Sequence, residues 1–259
     1  MRRLMRPALP FLRSALLALP VAALALSAAT PAGAQSASFD GNQKAAIEKI
    51  VHDYLMEHPE VILQAVDAMQ ERQKTAEAEQ ARKALTENKQ ELLRNPADPV
   101  IGNPQGDVTV VEFFDYQCGY CKAVQADTQS LIKGDPKLRF VLKEFPILGP
   151  ASLVASKAAL ASRGQGKYVE FHNALMAQRG QLDEAVIMRL AKSVGLDTDR
   201  LKKDMESPDV LKVIAANQAL AEKLNIRGTP AFVFGDELVP GAIKLDDMKR
   251  LTDAARAKG

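Results

Sequence analysis

Cys118 and Cys121 are the only cysteines in a chain of 259 residues, and they form a C-x-x-C pair. They follow Val108 to Phe114 (VTVVEFF), a run rich in β-branched and aromatic residues that reads as a strand, and they open a segment with helical patterning. A thiolate at Cys118 would meet the unpaired N–H groups and the positive dipole end of that helix, which favours the charged form. Cys121, one turn further in, would be shielded. This asymmetry suits dithiol chemistry: an accessible thiolate attacks a substrate disulfide, and a buried partner resolves the mixed disulfide. A purely structural bridge over so short a loop would constrain the unfolded chain little. A zinc site wants a full tetrahedral ligand set, whereas the only histidines are His52, His58 and His172 and no second C-x-x-C pair exists, so no metal is expected. Cys118 and Cys121 are therefore expected to be a redox-active disulfide and its dithiol.

The segment Phe113-Phe114-Asp115-Tyr116-Gln117-Cys118-Gly119-Tyr120-Cys121 resembles the active-site segment of DsbA-like thiol-disulfide oxidoreductases. Gly228-Thr229-Pro230, directly before a strand, resembles the cis-proline loop that faces the cysteine pair in thioredoxin folds. The resemblance covers about residues 98 to 258. It implies a cis Thr229-Pro230 bond and a client-binding role for Thr229 and Pro230 beside Gly119 and Tyr120. Physics gives the proline a purpose as well. It withholds an N–H donor, so the Thr229 backbone can pair with an extended client segment without demanding particular side chains. The alternative is an ordinary trans proline at a strand start.

Glu112 is an acid inside the apolar strand, and burying a carboxylate is costly unless it is paired or protonated. The matching acid in the family implies that Glu112 lies beneath the cysteine pair and exchanges a proton with Cys121. The alternative is a partly wet carboxylate or one paired with Lys143. Between the cysteines, Tyr120 offers no positive charge to stabilise a Cys118 thiolate, so oxidation is less strongly favoured than it would be with histidine there. The Cys-Gly-Tyr-Cys pair and the Thr-Pro loop are also similar to those of bacterial disulfide isomerases, which work from the reduced form.

The elements that must position these groups follow from the patterning. After the first strand and its helix, through roughly Gly119 to Lys133, a second strand runs Leu138 to Phe145 and stops at Pro146. Residues 149–224 are helical almost throughout, and Ala231 to Phe234 and Glu237 to Pro240 flank Gly235-Asp236 as a hairpin. Leu245 to Ala257 closes the chain as a helix. With the resemblance, this predicts an α/β thioredoxin fold over 96–259 with a helical insertion at about 149–224, preceded by an N-terminal α-helical module over 35–95. In that module Ile47, Ile50, Val51, Tyr54 and Leu55 recur at helical spacing, and His58-Pro59 breaks the helix. A second helix carries Ile62, Ala65, Val66 and Met69 on one face, then becomes almost wholly polar to Arg94. Its apolar faces need a partner, either another copy or the catalytic domain. The extension is similar to that of the suppressor-of-copper-sensitivity C branch, which implies a homo-oligomer, a trimer in that branch, and a link to copper tolerance.

Residues 1–34 read as a secretory signal: Arg2, Arg3, Arg6 and Arg13, an apolar run over 14–29, and Ala32-Gly33-Ala34 before the cleavage point. The apolar run is shorter than the roughly 20 residues that span a bilayer. Its removal leaves 30 basic and 32 acidic residues, a net charge of −2, with no electrostatic footprint for nucleic acid. The expected compartment is the bacterial periplasm, which is oxidising.

Together these readings predict a periplasmic protein disulfide isomerase or reductase with no bound cofactor. Its expected partners are unfolded or misoxidised exported proteins and a membrane thiol-disulfide redox protein. The alternatives are a DsbA-like dithiol oxidase and a Cu(I)-binding copper-tolerance protein using the same two cysteines.

Overall fold

The computed structural model describes residues 40–258, and the chain divides into two compact units, one ending at Val61 and the other running from Ile62. The signal sequence expected over 1–34 lies outside the described residues.

In the first unit, α1 (Gly41–Glu57) starts with a capping box. The Gln43 N–H donates to the Asp40 carboxylate at 2.8 Å, and the Asp40 N–H donates to Gln43 Oε1 at 3.0 Å. The helix ends at His58, before Pro59, as the proline predicts. None of its residues is buried: Ile47, Ile50, Val51 and Tyr54 all stand exposed on the apolar stripe.

In the second unit, β1 (Val100–Gly102), β2 (Val108–Phe114), β3 (Leu138–Glu144), β4 (Ala231–Phe234) and β5 (Glu237–Pro240) form one sheet in the order β1-β3-β2-β4-β5. β2 and β3 run parallel and the other pairings are antiparallel. The crossover between the parallel strands is α4 (Gly119–Gly134), which begins at the cysteine pair. Gly235 has φ +61° and Asp236 does not share its sign, the pattern of a II′ turn, which matches the twist of the β4–β5 hairpin. Between β3 and β4 lie α5 (Pro150–Ser162), a single 3₁₀ turn over Arg163–Gln165, α6 (Tyr168–Ala177), α7 (Glu184–Ser193), α8 (Thr198–Met205) and α9 (Pro208–Lys223). These are the expected insertion. α10 (Leu245–Lys258) completes the fold.

Alternation along the strands divides the core in two. Val110, Phe114, Phe140, Leu142 and Phe232 pack on the side of α4, α10 and most of the insertion. Val111, Phe113, Val141 and Val233 point the other way and are covered by Leu220 and Leu224 together with Leu85 and Leu92. The last two come from α2 (Glu60–Glu87) and α3 (Lys89–Arg94). The polar helix expected to run unbroken to Arg94 is interrupted at Asn88, whose side chain donates to the Ala84 carbonyl at 2.8 Å.

Packing continues across residue 95, the expected end of the N-terminal module. Leu92 is 1% exposed, Arg139 Nη1 donates to the Leu93 carbonyl at 2.6 Å, and Lys143 Nζ donates to the Glu91 carbonyl at 2.8 Å. Lys143 also pairs with Asp98, both side chains wholly buried. Burial lowers the Lys143 pKa and raises that of Asp98, and their mutual attraction opposes both shifts. Two leucines on a polar helix suffice because they meet an apolar sheet face already in place. No helix among the described residues is long and apolar enough to cross a membrane.

Candidate active site

β2 is central in the sheet and buried, so its C-terminal end delivers Asp115 to Cys118 to one edge of the core. Cys118 is the N-cap of α4: its sulfur accepts the Cys121 N–H at 3.3 Å, taking the place that a Ser or Asp oxygen usually holds. The same sulfur lies 3.2 Å from the Thr229 carbonyl oxygen, to which the thiol donates. The Thr229-Pro230 bond is cis and Pro230 is buried, and the loop before β4 thus meets Cys118 from a distant part of the chain. Gly119 is exposed and Tyr120 is 71% exposed, leaving the mouth of the pair open to solvent.

The two thiols are opposed electrically. The Cys118 pKa is lowered to about 5, chiefly by the hydrogen bond from the Cys121 thiol, with further bonds from Thr229 and from the Cys121 and Tyr120 backbone. No cation contributes, in keeping with tyrosine between the cysteines. The value lies between the roughly 7 of thioredoxin and the roughly 3.5 of a strongly oxidising dithiol. Burial pushes the Cys121 thiol up, helped by its bond to Cys118 and the charge of Glu112. Both cysteines are free, so the site is in its dithiol form.

Glu112 is 2% exposed, and its Oε1 has no hydrogen-bond partner. Its pKa is raised to about 8, first by burial and then by the negative charge on Cys118. The alternative pairing with Lys143 does not occur. Lys143 is in register with Phe113, one residue on from Glu112, and so occupies the opposite face of the sheet, where Asp98 takes it. Glu112 is left on the side of the cysteines with no counter-ion.

Asp115 is the functional residue that sequence reasoning missed. Its Oδ1 accepts the Gln117 N–H at 2.7 Å and the Ser152 hydroxyl at 2.7 Å, and its Oδ2 accepts the Ile147 and Leu148 N–H groups at 2.8 and 2.9 Å. Its carbonyl accepts the Cys118 N–H. One buried carboxylate thus ties the cysteine turn to the loop after β3 and to the first turn of α5. An Asp just after a strand and before a turn was the available signal.

Beneath this turn, Tyr116 and Tyr168 both donate to Glu144 Oε1, at 2.9 and 2.7 Å, and the Tyr116 hydroxyl lies 3.0 Å from His172 Nδ1. Burial raises the Glu144 pKa to about 8 and lowers that of His172 to about 3. The imidazole is neutral at ordinary pH and stacks on Tyr168.

Comparison with known proteins agrees with this geometry. The model of the DSBA-like thioredoxin domain matches residues 109–252, and that of the copper resistance protein ScsC N-terminal domain matches residues 43–76. A thioredoxin-like oxidoreductase from Silicibacter pomeroyi DSS-3 is 50% identical, with a TM-score of 0.65 over 66% of this chain and 98% of its own. Proteus mirabilis ScsC in a transitional conformation is 31% identical, with a TM-score of 0.64 over 86% of this chain and 99% of its own. Among curated proteins, the Na(+)/H(+) antiporter NhaA 1 of Salinispora arenicola is 29% identical over 171 residues, 64% of this chain. The matched stretch spans about a quarter of that antiporter's length, 26%.

Proposed function

We propose, from the premise that this chain belongs to the DSBA-like thioredoxin domain family, that it is a protein thiol-disulfide oxidoreductase acting as an isomerase or reductase on exported proteins. The observation that carries the reading is the position of Cys118 Sγ, between the Cys121 N–H at 3.3 Å and the Thr229 carbonyl at 3.2 Å. An activated sulfur faces a loop that can hold an extended chain, and a protonated thiol waits behind it.

The Cys118 thiolate attacks one sulfur of a client disulfide. A Cys118–client disulfide forms, and the other client sulfur leaves as a thiolate. That thiolate can attack a different client disulfide and in the end displace Cys118, which is isomerisation with the enzyme returned reduced. Otherwise Cys121 attacks the Cys118 sulfur, the client leaves as a thiol, and the enzyme is left with a Cys118–Cys121 disulfide. A membrane thiol-disulfide partner then supplies two electrons to restore the dithiol. Glu112 serves the second route as the acceptor of the Cys121 proton. Once Cys118 is bonded to client it carries no negative charge, one of the two influences that raise Glu112, so the carboxylate forms at the step that needs a base. Gly119, Tyr120, Thr229 and Pro230 make the client-binding mouth.

The exposed stripe of Ile47, Ile50, Val51 and Tyr54 supports a homo-oligomer, a trimer by resemblance. Several sites around one client raise its effective concentration and favour reshuffling over single turnover. The basic, apolar and small-residue pattern of residues 1–34 supports export to the periplasm.

The test is recovery of activity from a scrambled, fully oxidised model protein. The full mature chain is expected to restore activity, and Cys118→Ala to restore none. Failure of the unmutated chain, with rapid oxidation of a reduced client instead, would move the oxidase reading ahead.

A further inference from the structure

α2 forms one wall of a cleft of about 750 Å³ that the mechanism above leaves unused. The opposite wall is the segment from Lys223 to Gly228 together with β5. Ala78 and Ala81 give α2 a smooth side there, and Ile226 and Leu238 make the facing surface apolar. The volume lies within the roughly 300–1,000 Å³ of binding clefts. The rim carries Lys74, Lys223 and Arg227 against Glu77, with Lys223 also 3.3 Å from Glu91 and Lys74 4.0 Å from Glu71, which leaves Arg227 as the rim cation without a carboxylate partner among the described residues.

Position identifies the occupant. The cleft wall runs through Arg227 and Gly228, and the next residue, Thr229, has its carbonyl 3.2 Å from Cys118 Sγ. A chain that pairs with Thr229 while its cysteine meets Cys118 continues past Gly228 into this space. β5 is the last strand of the sheet, so its outer backbone groups have no strand partner among the described residues, and they suit an extended guest.

We infer that this cleft is a second client subsite, which holds the extended stretch flanking the attacked cysteine and favours acidic sequence there, chiefly through Arg227. The inference rests on the oxidoreductase reading and deepens it. α2 becomes part of client recognition as well as the link from the N-terminal unit.

The experiment uses the full mature chain carrying Cys121→Ser, so that a captured client stays bound. Two single-cysteine peptides, one with an acidic and one with a basic flank, carry a benzophenone in the flank and 5-thio-2-nitrobenzoate on the cysteine. Cys118 attacks the peptide sulfur, a Cys118–peptide disulfide forms, and coloured thionitrobenzoate leaves with the electron pair of the broken bond. The acidic peptide is expected to react several-fold faster at low salt, the difference shrinking as salt screens the rim charges. Illumination should then cross-link it to α2 around Ala78 and Ala81. A Lys223→Glu, Arg227→Glu variant, altered only at exposed side chains, should reverse the preference. Colour release at equal rates from both peptides, with cross-links elsewhere or between two copies of the enzyme, would overturn the cleft while leaving the oxidoreductase reading intact. No colour release from either peptide would overturn that reading and the cleft with it.

Discussion

The sulfur of Cys118 and the carbonyl oxygen of Thr229 stand 3.2 Å apart, although 111 positions separate them in the chain. This carbonyl suits a neutral thiol and offers nothing to a thiolate, so the charged form depends on donors from α4 and on the Thr229 side chain.

The thiolate absorbance of the reduced protein should titrate with a midpoint of about 5. Because the Cys121 thiol is the strongest of the donors, Cys121→Ala should move the midpoint upward. The reduction potential should fall between about −270 and −120 mV, the values of thioredoxin and of a strong dithiol oxidant. A midpoint at the ordinary thiol value in the unmutated protein would contradict the capping geometry.

Glu112 is held protonated up to a pH of about 8 in the dithiol form, and bonding of Cys118 to client removes one of the two influences behind that shift, so release of a trapped client by Cys121 should accelerate as pH rises through a midpoint below that value. Glu112→Gln should flatten the profile and slow release by about 100-fold, the usual scale of lost proton transfer. Stability runs the other way. A carboxyl whose folded pKa is raised favours folding below its unfolded value of 4.5 and loses that advantage as pH climbs through about 8. Relative to the unmutated chain, Glu112→Gln should therefore gain stability between pH 5 and pH 9 in urea titrations of the reduced form.

Lys143→Met should cost about 3–5 kcal/mol by leaving Asp98 buried and unpaired. Adding Asp98→Asn should recover a large part of that loss, which a double-mutant cycle of urea midpoints would measure. Simple additivity would mean that the two side chains act independently.

Replacing Ile50 and Tyr54 together by Ser should lower the mass found by light scattering, since both stand on the exposed stripe of α1. Unscrambling should fall more than reduction of a small disulfide. An unchanged mass would separate the stripe from assembly.

Much of this fold was legible because its signals are local. The cysteine pair at a strand-helix junction, the proline stop after β3 and the Gly235-Asp236 turn each occupy a few adjacent residues. What stayed hidden depends on partners far away in sequence. β1 has three residues, too few for a period to register, and it exists because β3 offers it an edge. Leu85 and Leu92 sit among charges on helices that read as solvated, and only the sheet face gives them a core to join. The buried place of Lys143 was illegible without Asp98, 45 positions earlier. Asp115 was visible as a turn residue, but its hold on the Ile147 and Leu148 amides was not.

The opposition of Glu112 and Lys143 across the sheet makes parity a chemical variable. Deleting one residue from β2 upstream of Glu112, with the strand refilled in register, would turn the acid toward the lysine. The carboxylate would leave the side of the cysteines for a lysine that Asp98 already pairs, and the site would keep both sulfurs without the proposed base. A frame of one residue in a strand would thus separate a cysteine pair backed by a buried acid from one that must release its client without it.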